Sequence, residues 1–172
     1  MSHLYSATIF VFLWLYINIV RMILPYTGSE KRYDELIKEA KSMTQKSYAP
    51  YSHFNVGAAV LLSDGTVVTG ANQENAAYGE CICAERVALL YATANHPDVR
   101  PEAIAIAAFA NGRFTEECIK PCGSCRQVLL EAEHRYGSDI KIIMYGDKEI
   151  YIADSVKDMM PLSFGCGILS DK

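Results

Sequence analysis

Apolar residues follow helical spacing in one part of the first half of the chain and strand-like spacing in another. They recur three or four positions apart over residues 29–46, with charges between them, which predicts an amphipathic helix with Ser29 as a candidate N-cap. A proline-containing loop over residues 47–54 follows. Two apolar runs over residues 56–62 and 67–69, separated by a glycine-containing turn, then predict a β-hairpin.

Helix-forming and strand-forming segments alternate through the rest of the chain. In order, the pattern predicts a helix over 83–94, a strand over 103–110, a helix over 122–136, strands over 141–145 and 149–153, and a short helix over 156–160. No repeat or low-complexity segment interrupts this order after Thr27. We therefore expect an α/β fold in which helices cover a single mixed five-stranded sheet.

The composition favours one domain that acts on small molecules. The chain has 172 residues, of which 51% are hydrophobic and 21% are charged, so it can bury a core of ordinary size. The formal net charge is -4 and the sequence pI is about 5.6. Because phosphate binding depends on clustered lysine and arginine residues, this charge argues against a nucleic-acid groove.

The N-terminal region differs from the rest of the chain in composition. Residues 4–20 carry no charge, but 17 positions are the short limit for a membrane-spanning helix, which needs about 20 apolar residues. Two interpretations stay open: a membrane anchor whose following basic residues hold the domain in the cytoplasm, or untranslated upstream sequence joined to a true start at Met22. The second is favoured because the sequence after Met22 by itself predicts a soluble domain. We divide the chain into an extension over residues 1–28 and a domain over residues 29–172.

Clustering of the cysteines indicates a metal site. The six cysteines are Cys81, Cys83, Cys118, Cys122, Cys125 and Cys166. Disulfide pairing is the alternative, but C-x-C and C-x-x-C spacing in a chain of this size favours metal binding in a reducing compartment, here the cytoplasm. Cys83 and Cys122 stand at predicted helix starts, where the helix dipole and free N–H groups lower the pKa of a thiol. Together with Cys125 they would leave a tetrahedral zinc ion one position for water.

A carboxylate follows the first candidate ligand by two positions. Glu85 is therefore expected within reach of a water molecule on the metal, where it can take and return protons. Three thiolates acidify such a water less than three imidazoles do, so a general base is more necessary here. Arg86 and Arg126 each follow a candidate ligand and are expected to offset the negative charge by hydrogen bonds to sulfur, Arg86 above all.

Cys83, Ala84 and Glu85, together with residues 121–125 (PCGSC), resemble the pattern of zinc nucleoside deaminases. The similarity is with the small cytidine deaminases and extends from Tyr33 to Gly165. It is carried by residues 48–54 (YAPYSHF), 56–59 (VGAA), 70–75 (GANQEN), 83–86 (CAER), 121–127 (PCGSCRQ) and 161–165 (PLSFG).

The resemblance implies a fold, a cofactor and a reaction. The fold is a three-layer α/β/α arrangement, and the cofactor is one zinc ion per chain on Cys83, Cys122 and Cys125, with no organic cofactor. The reaction is hydrolytic deamination of cytidine and 2′-deoxycytidine to uridine and 2′-deoxyuridine in pyrimidine salvage, with zinc-activated water as the nucleophile and Glu85 as the proton carrier. Ammonia is the other product.

The resemblance also implies how a pyrimidine nucleoside is bound. Phe54 matches a phenylalanine that stacks on the base, and Asn72 and Glu74 match residues that hydrogen-bond the ribose hydroxyls. The amide N–H of Ala84 matches one that holds the base carbonyl. Taken alone, Phe54 also fits a core aromatic, and Asn72 with Glu74 also fits a loop cap.

Contacts between subunits are a further implication of the resemblance. Members of the family are usually homotetramers in which an aromatic residue of a neighbouring subunit lies against the bound base. Phe164 is the matching position, and Tyr78 is a weaker candidate. Two features depart from the family, namely the N-terminal apolar run and the additional thiol of Cys81, whose offset from Glu85 is not that of a ligand.

Three other functions remain as alternatives. A deaminase of another aminated ring would share the zinc chemistry, although the Asn72 and Glu74 pair favours a ribose. A nucleic-acid-editing deaminase would need a basic channel and usually has a histidine in place of Cys83. A zinc-stabilised binding protein without catalysis would have no use for Glu85.

Overall fold

The computed structural model of the chain describes residues 23–28 and 30–165. The apolar run over residues 4–20, the alternative start at Met22, the candidate N-cap Ser29 and the thiol of Cys166 lie outside the described residues. Within the described ranges, no helix is long and apolar enough to cross a membrane.

Helices and strands occur where the sequence pattern predicts them, with small shifts of their ends. The α-helices are α1 (Lys31–Met43), α2 (Ala84–Asn95) and α3 (Gly123–Tyr136). The strands are β1 (Ile23–Pro25), β2 (Asn55–Leu62), β3 (Val67–Ala71), β4 (Pro101–Ala110), β5 (Arg113–Phe114), β6 (Lys141–Tyr145) and β7 (Ile150–Ala153). Short 3₁₀ helices cover Thr44–Lys46, Tyr78–Glu80 and Val156–Met159.

The strands form one mixed sheet in the order β1-β7-β6-β4-β2-β3, with β5 paired to β4. The β4 and β6 pair is parallel and the other pairs are antiparallel. The described sheet has seven strands, whereas the sequence pattern predicts five. The two additional strands, β1 and β5, have three and two residues, which is too short for an alternating pattern to be visible in sequence.

Alternation of side chains along β4 separates two hydrophobic cores. Ile104 and Ile106 are buried on the face that α2 and α3 cover, whereas Ala103, Ala105 and Ala107 are buried on the face that α1 covers. Because successive strand residues point to opposite faces, one strand supplies both cores. Helices lie on both faces of the sheet, so the predicted three-layer α/β/α fold is confirmed.

Two glycines allow helices to lie unusually close to the sheet. A Cβ atom at Gly57 in β2 would lie 2.1 Å from the carbonyl oxygen of Ala40 in α1, and one at Gly70 in β3 would lie 2.5 Å from the backbone nitrogen of Ala88 in α2. Backbone atoms at these distances leave no room for any side chain. The contact at Gly70 holds the start of α2, which carries Glu85, against the sheet.

A buried carboxylate forms several hydrogen bonds near the C-terminus of α3. Glu133 is 2% exposed, and its carboxylate accepts hydrogen bonds from the backbone N–H groups of Ile140 and Val156, both at 3.0 Å, and from the hydroxyl of Ser155 at 2.8 Å. Lys157 lies 3.6 Å away as an ion-pair partner. A buried carboxylate with this many donors links α3, β6 and the last 3₁₀ helix.

We expect Glu133→Ala to lower the free energy of unfolding by about 3 kcal/mol, because it leaves buried donors without an acceptor. Urea unfolding measured by circular dichroism checks this value. The matched control is Glu131→Ala, which removes an exposed carboxylate from the same helix and is expected to change the stability by less than about 0.5 kcal/mol. Equal stability of the two variants would contradict the structural role of Glu133.

Candidate active site

Two helix N-termini bring three thiols together. Cys83 is the N-cap of α2 and Cys122 is the N-cap of α3, in whose first turn Cys125 lies. The Sγ atoms of Cys83 and Cys122 are 3.8 Å apart although 39 positions separate these residues, and those of Cys122 and Cys125 are 3.4 Å apart. All three Sγ atoms lie within 4.8 Å of one another.

The donor set fits zinc. Thiolates are soft ligands, and a tetrahedral site with Zn–S distances of about 2.3 Å places its sulfurs about 3.8 Å apart, close to the spacings in this cluster. Three protein donors leave a fourth tetrahedral position open, as in catalytic rather than structural zinc sites. Cys125 is buried whereas Cys122 is exposed, so the cluster has an accessible side.

Proton sharing among the thiols separates their pKa values. The hydrogen bond with Cys125 is the main cause that lowers the pKa of Cys83 to about 5, and Cys122 and the Arg86 guanidinium lower it further. The same hydrogen bond raises the pKa of Cys125, which is also raised by burial. Negative charge is therefore concentrated on Cys83, at the positive end of α2, where it favours a cation.

Glu85 is a buried carboxyl group beside this cluster. It lies in the first turn of α2 and is 5% exposed. Burial raises its pKa, and the nearby negative charge of Cys83 adds to the increase. A raised pKa makes the carboxylate form of such a group a better proton acceptor, which favours a role in general acid and base catalysis.

The two arginines next to the ligand segments have different contacts. Burial acts to lower the pKa of Arg86, but the thiol cluster, Cys83 above all, has the larger combined effect and raises this pKa. Arg86 Nη2 donates to the carbonyl of Cys81 at 3.0 Å. Arg126 donates instead to the carbonyl groups of Pro121 at 2.9 Å and Met159 at 3.2 Å. Of the two arginines, Arg86 is therefore the one that interacts electrostatically with the thiol cluster.

A cavity of about 500 Å³ opens onto the cluster. It is lined by six of the residues singled out in the sequence, namely Phe54, Asn72, Glu74, Cys83, Glu85 and Cys122. The volume is within the range of pockets that hold small organic ligands. Phe54 is 36% exposed on this wall, so it is not a core aromatic. The structure thus places the thiol cluster, the Glu85 carboxyl group and an aromatic ring around one cavity.

Asn72 and Glu74 also hold the loop that precedes β2. The Asn72 side chain accepts from the amide of Val56 at 2.8 Å and donates to the carbonyl of Phe54 at 3.0 Å. The Glu74 carboxylate accepts from the amide of Tyr51 at 2.9 Å and from the hydroxyl of Ser52. Both residues therefore cap the loop while they face the cavity.

The remaining candidates lie outside the cavity wall of this chain. Tyr78 is 72% exposed and its ring makes an edge-to-face contact with Tyr51, and Phe164 is 58% exposed, with its carbonyl accepting from Gln127. Ala84 is buried as the first residue of α2, a position whose N–H has no acceptor within the helix. Of these three, only Ala84 lies next to the cluster within the same chain.

Sequence reasoning missed several residues of the cavity wall. Ser52 and Lys120 line it as well, yet each is a common surface or loop residue with no spacing that distinguishes it; Cys81, noted in the sequence only as an additional thiol, also lines it. Cys81 accepts a hydrogen bond from the amide of Asn75 at 3.2 Å and is not part of the metal-binding cluster. The motif around Ser52 was visible in the sequence, but its contact with Glu74 depends on the fold.

A three-layer α/β/α fold with three thiols at two helix N-termini, next to a buried carboxyl group and a nucleoside-sized cavity, defines the class of zinc-dependent hydrolytic deaminases. The sequence pattern described as "Cytidine and deoxycytidylate deaminase zinc-binding region" matches residues 30–136, a range that contains the thiol cluster and Glu85. The chain belongs to this family.

Individual relatives agree with this membership. The chain is 49% identical over 96 residues to a cytidine deaminase of Halalkalibacterium halodurans, which covers 56% of this chain and 68% of that protein. It is 38% identical over 124 residues to a cytidine deaminase of Mycobacterium tuberculosis, with 69% and 79% covered. The crystal structure of a cytidine deaminase from Burkholderia pseudomallei superposes with a TM-score of 0.65 at 38% identity, over 77% of this chain and 98% of that chain.

Proposed function

We propose that this chain hydrolyses the 4-amino group of cytidine and 2′-deoxycytidine, giving uridine or 2′-deoxyuridine and ammonia in pyrimidine salvage. The observation that carries this proposal is the buried carboxyl group of Glu85 next to three thiols at the bottom of a cavity of about 500 Å³. The family and its relatives named cytidine deaminase support the choice of base.

Zinc is the cofactor, and Cys83, Cys122 and Cys125 would hold it. When bound, the metal lowers the pKa of a coordinated water molecule and so supplies a nucleophile near neutral pH. Arg86 offsets part of the negative charge that three thiolates bring, since its guanidinium lowers the pKa of Cys83. One ion per chain follows from a single three-ligand site.

Glu85 carries the protons of the reaction. It accepts one proton from the attacking water and delivers it to N3 of the base, then accepts the second proton from the new hydroxyl group on C4 and delivers it to the departing amino group. The C4–O bond forms first and makes C4 tetrahedral, and the C4–N4 bond breaks afterwards, so one water is consumed and one ammonia is released. The raised pKa of Glu85 suits this role because the group must be both acceptor and donor.

The cavity wall binds the nucleoside. Phe54 would stack on the pyrimidine, and the amide N–H of Ala84, free at the start of α2, would donate to the base carbonyl. Asn72 and Glu74 would read the ribose hydroxyls with the bonding capacity that their loop contacts leave unused. These roles come from matching positions in the family; Phe54, Asn72 and Glu74 line one cavity, and Ala84 follows Cys83, which also lines it.

The aromatic candidates outside the wall suit contacts between subunits. Phe164 and Tyr78 are exposed, and we propose a homotetramer in which Phe164 of a neighbouring subunit approaches the base, with Tyr78 at the same interface. We assign catalysis to the domain over residues 29–172 and place this domain in the cytoplasm. Strand β1 belongs to the preceding extension and adds an edge strand to the sheet of the domain. Any membrane contact would come from the preceding apolar run.

The direct test offers several aminated substrates to the purified full chain and follows the change in ultraviolet absorbance. We expect turnover of cytidine and deoxycytidine but not of CMP or a blasticidin-type aminonucleoside, with about one zinc per chain by elemental analysis. Bound zinc without turnover of either nucleoside would contradict the proposed function.

A further inference from the structure

Ser52 connects the two ends of the cavity. Its hydroxyl donates to Oε1 of Glu74 at 2.5 Å and accepts from the backbone N–H of Phe54 at 3.0 Å. Its own backbone N–H donates to the other oxygen of Glu74 at 3.3 Å. One small side chain therefore contacts both the carboxylate assigned to the sugar and the residue whose ring is assigned to the base.

These contacts orient the Glu74 carboxylate and leave it able to bind a ligand. Among the described residues, Oε2 accepts from the amides of Tyr51 and Ser52, whereas Oε1 accepts from the Ser52 hydroxyl alone and so retains an unused lone pair. The hydrogen bond from Ser52 is the main cause that holds the pKa of Glu74 below its ordinary value. The carboxylate is therefore ionised and fixed in direction, and Glu74 lines the cavity.

The backbone of Phe54 depends on side chains rather than on a strand partner. Its N–H donates to the Ser52 hydroxyl and its carbonyl accepts from Asn72. The preceding residue, His53, has a φ of 54°, in the left-handed region, which is unfavourable for a residue with a side chain. Such a conformation persists only where its surroundings hold it, and the Ser52 hydroxyl is one of the groups that hold the following residue.

We propose that Ser52 is a positioning residue whose hydroxyl keeps the carboxylate of Glu74 and the ring of Phe54 at a fixed separation. The two ends of a nucleoside are covalently joined, so the groups that bind its sugar and its base must stand at a matching distance. Ser52 sets that distance without entering the chemistry. This inference rests on the proposed function, because it concerns the binding of that same substrate.

The test compares steady-state kinetics of the full chain with those of Ser52→Ala, Ser52→Thr and a control, Ser42→Ala. Ser42 is an exposed serine on α1 whose hydroxyl donates to the carbonyl of Glu39. Loss of a hydrogen bond to a charged group should lower kcat/KM for cytidine about tenfold in Ser52→Ala, mainly through KM. Ser52→Thr keeps the hydroxyl and is expected to restore the value, and Ser42→Ala is expected to leave it unchanged.

A double-mutant cycle with Glu74→Gln shows whether Ser52 acts through Glu74. Two coupled residues give a double variant less impaired than the product of the single losses, whereas independent residues give multiplicative losses. Multiplicative losses, or an unchanged KM in Ser52→Ala, would overturn the positioning role while the proposed function stands. Absence of cytidine turnover by the unmutated chain would overturn the proposed function and the inference with it.

Discussion

Replacement of Glu85 with glutamine is expected to lower kcat for cytidine by about 10²- to 10⁴-fold while the chain keeps its zinc. Glutamine has nearly the same shape as glutamate but cannot exchange a proton with water and the base. Glu85 is not one of the three clustered donors, so its loss leaves the metal site intact. Ultraviolet assay and elemental analysis of the same preparation measure both quantities.

The control for this prediction is Glu131→Gln. It makes the same chemical change at an exposed position on α3 and should retain full activity. If Glu85→Gln were as active as the control, Glu85 would not be the proton carrier. If Glu85→Gln lost zinc as well as activity, the carboxylate would have to be counted among the groups that hold the metal.

Removal of a single thiol from the cluster is expected to abolish both zinc binding and activity. Cys125→Ala should reduce the zinc content from about one ion per chain to near zero and abolish turnover, since two thiols cannot replace a three-ligand site. Cys125 is 1% exposed, between the other two sulfurs and the core. Zinc content by elemental analysis, with the far-ultraviolet circular dichroism spectrum as a check of folding, decides the outcome.

Cys81→Ala is the matched control for the metal site. Cys81 is two positions from Cys83, but its thiol accepts a hydrogen bond from Asn75 and does not join the cluster. This variant is therefore expected to keep one zinc ion. Loss of zinc from Cys81→Ala, with retention in Cys125→Ala, would show that the ligand set is assigned wrongly.

Local sequence was sufficient to predict most elements and the centre of the site. Helices α2 and α3 begin within one residue of the predicted positions. The residues at these two helix starts also carry the ligand pattern, so the same short segments indicated both features. The amphipathic spacing of α1 likewise specified its buried face, which includes Tyr33, Leu36 and Ala40. A helix or strand that is longer than one repeat of its apolar pattern can be predicted from sequence in this way.

Interactions over long sequence separations were not readable from the sequence. Strands β1 and β5 contain three and two residues and are strands only because a longer strand lies beside them. The hydrogen bonds from Ser52 to Glu74 span 22 positions, and no local pattern encodes such a pairing. The predicted count of five strands was short by two because β1 and β5 are too short to show a pattern of their own.

The sequence by itself determined the class of fold and predicted the candidate ligands and the candidate proton carrier, because residue type, helix starts and side-chain periodicity are local properties. Only the tertiary structure decided that Cys83 and Cys122 lie 3.8 Å apart and that Ser52 joins Glu74 to Phe54. It also decided that Phe164 stands outside the cavity wall of its own chain. These distances depend on how helices and loops pack on the sheet, which is the sum of many contacts between distant residues.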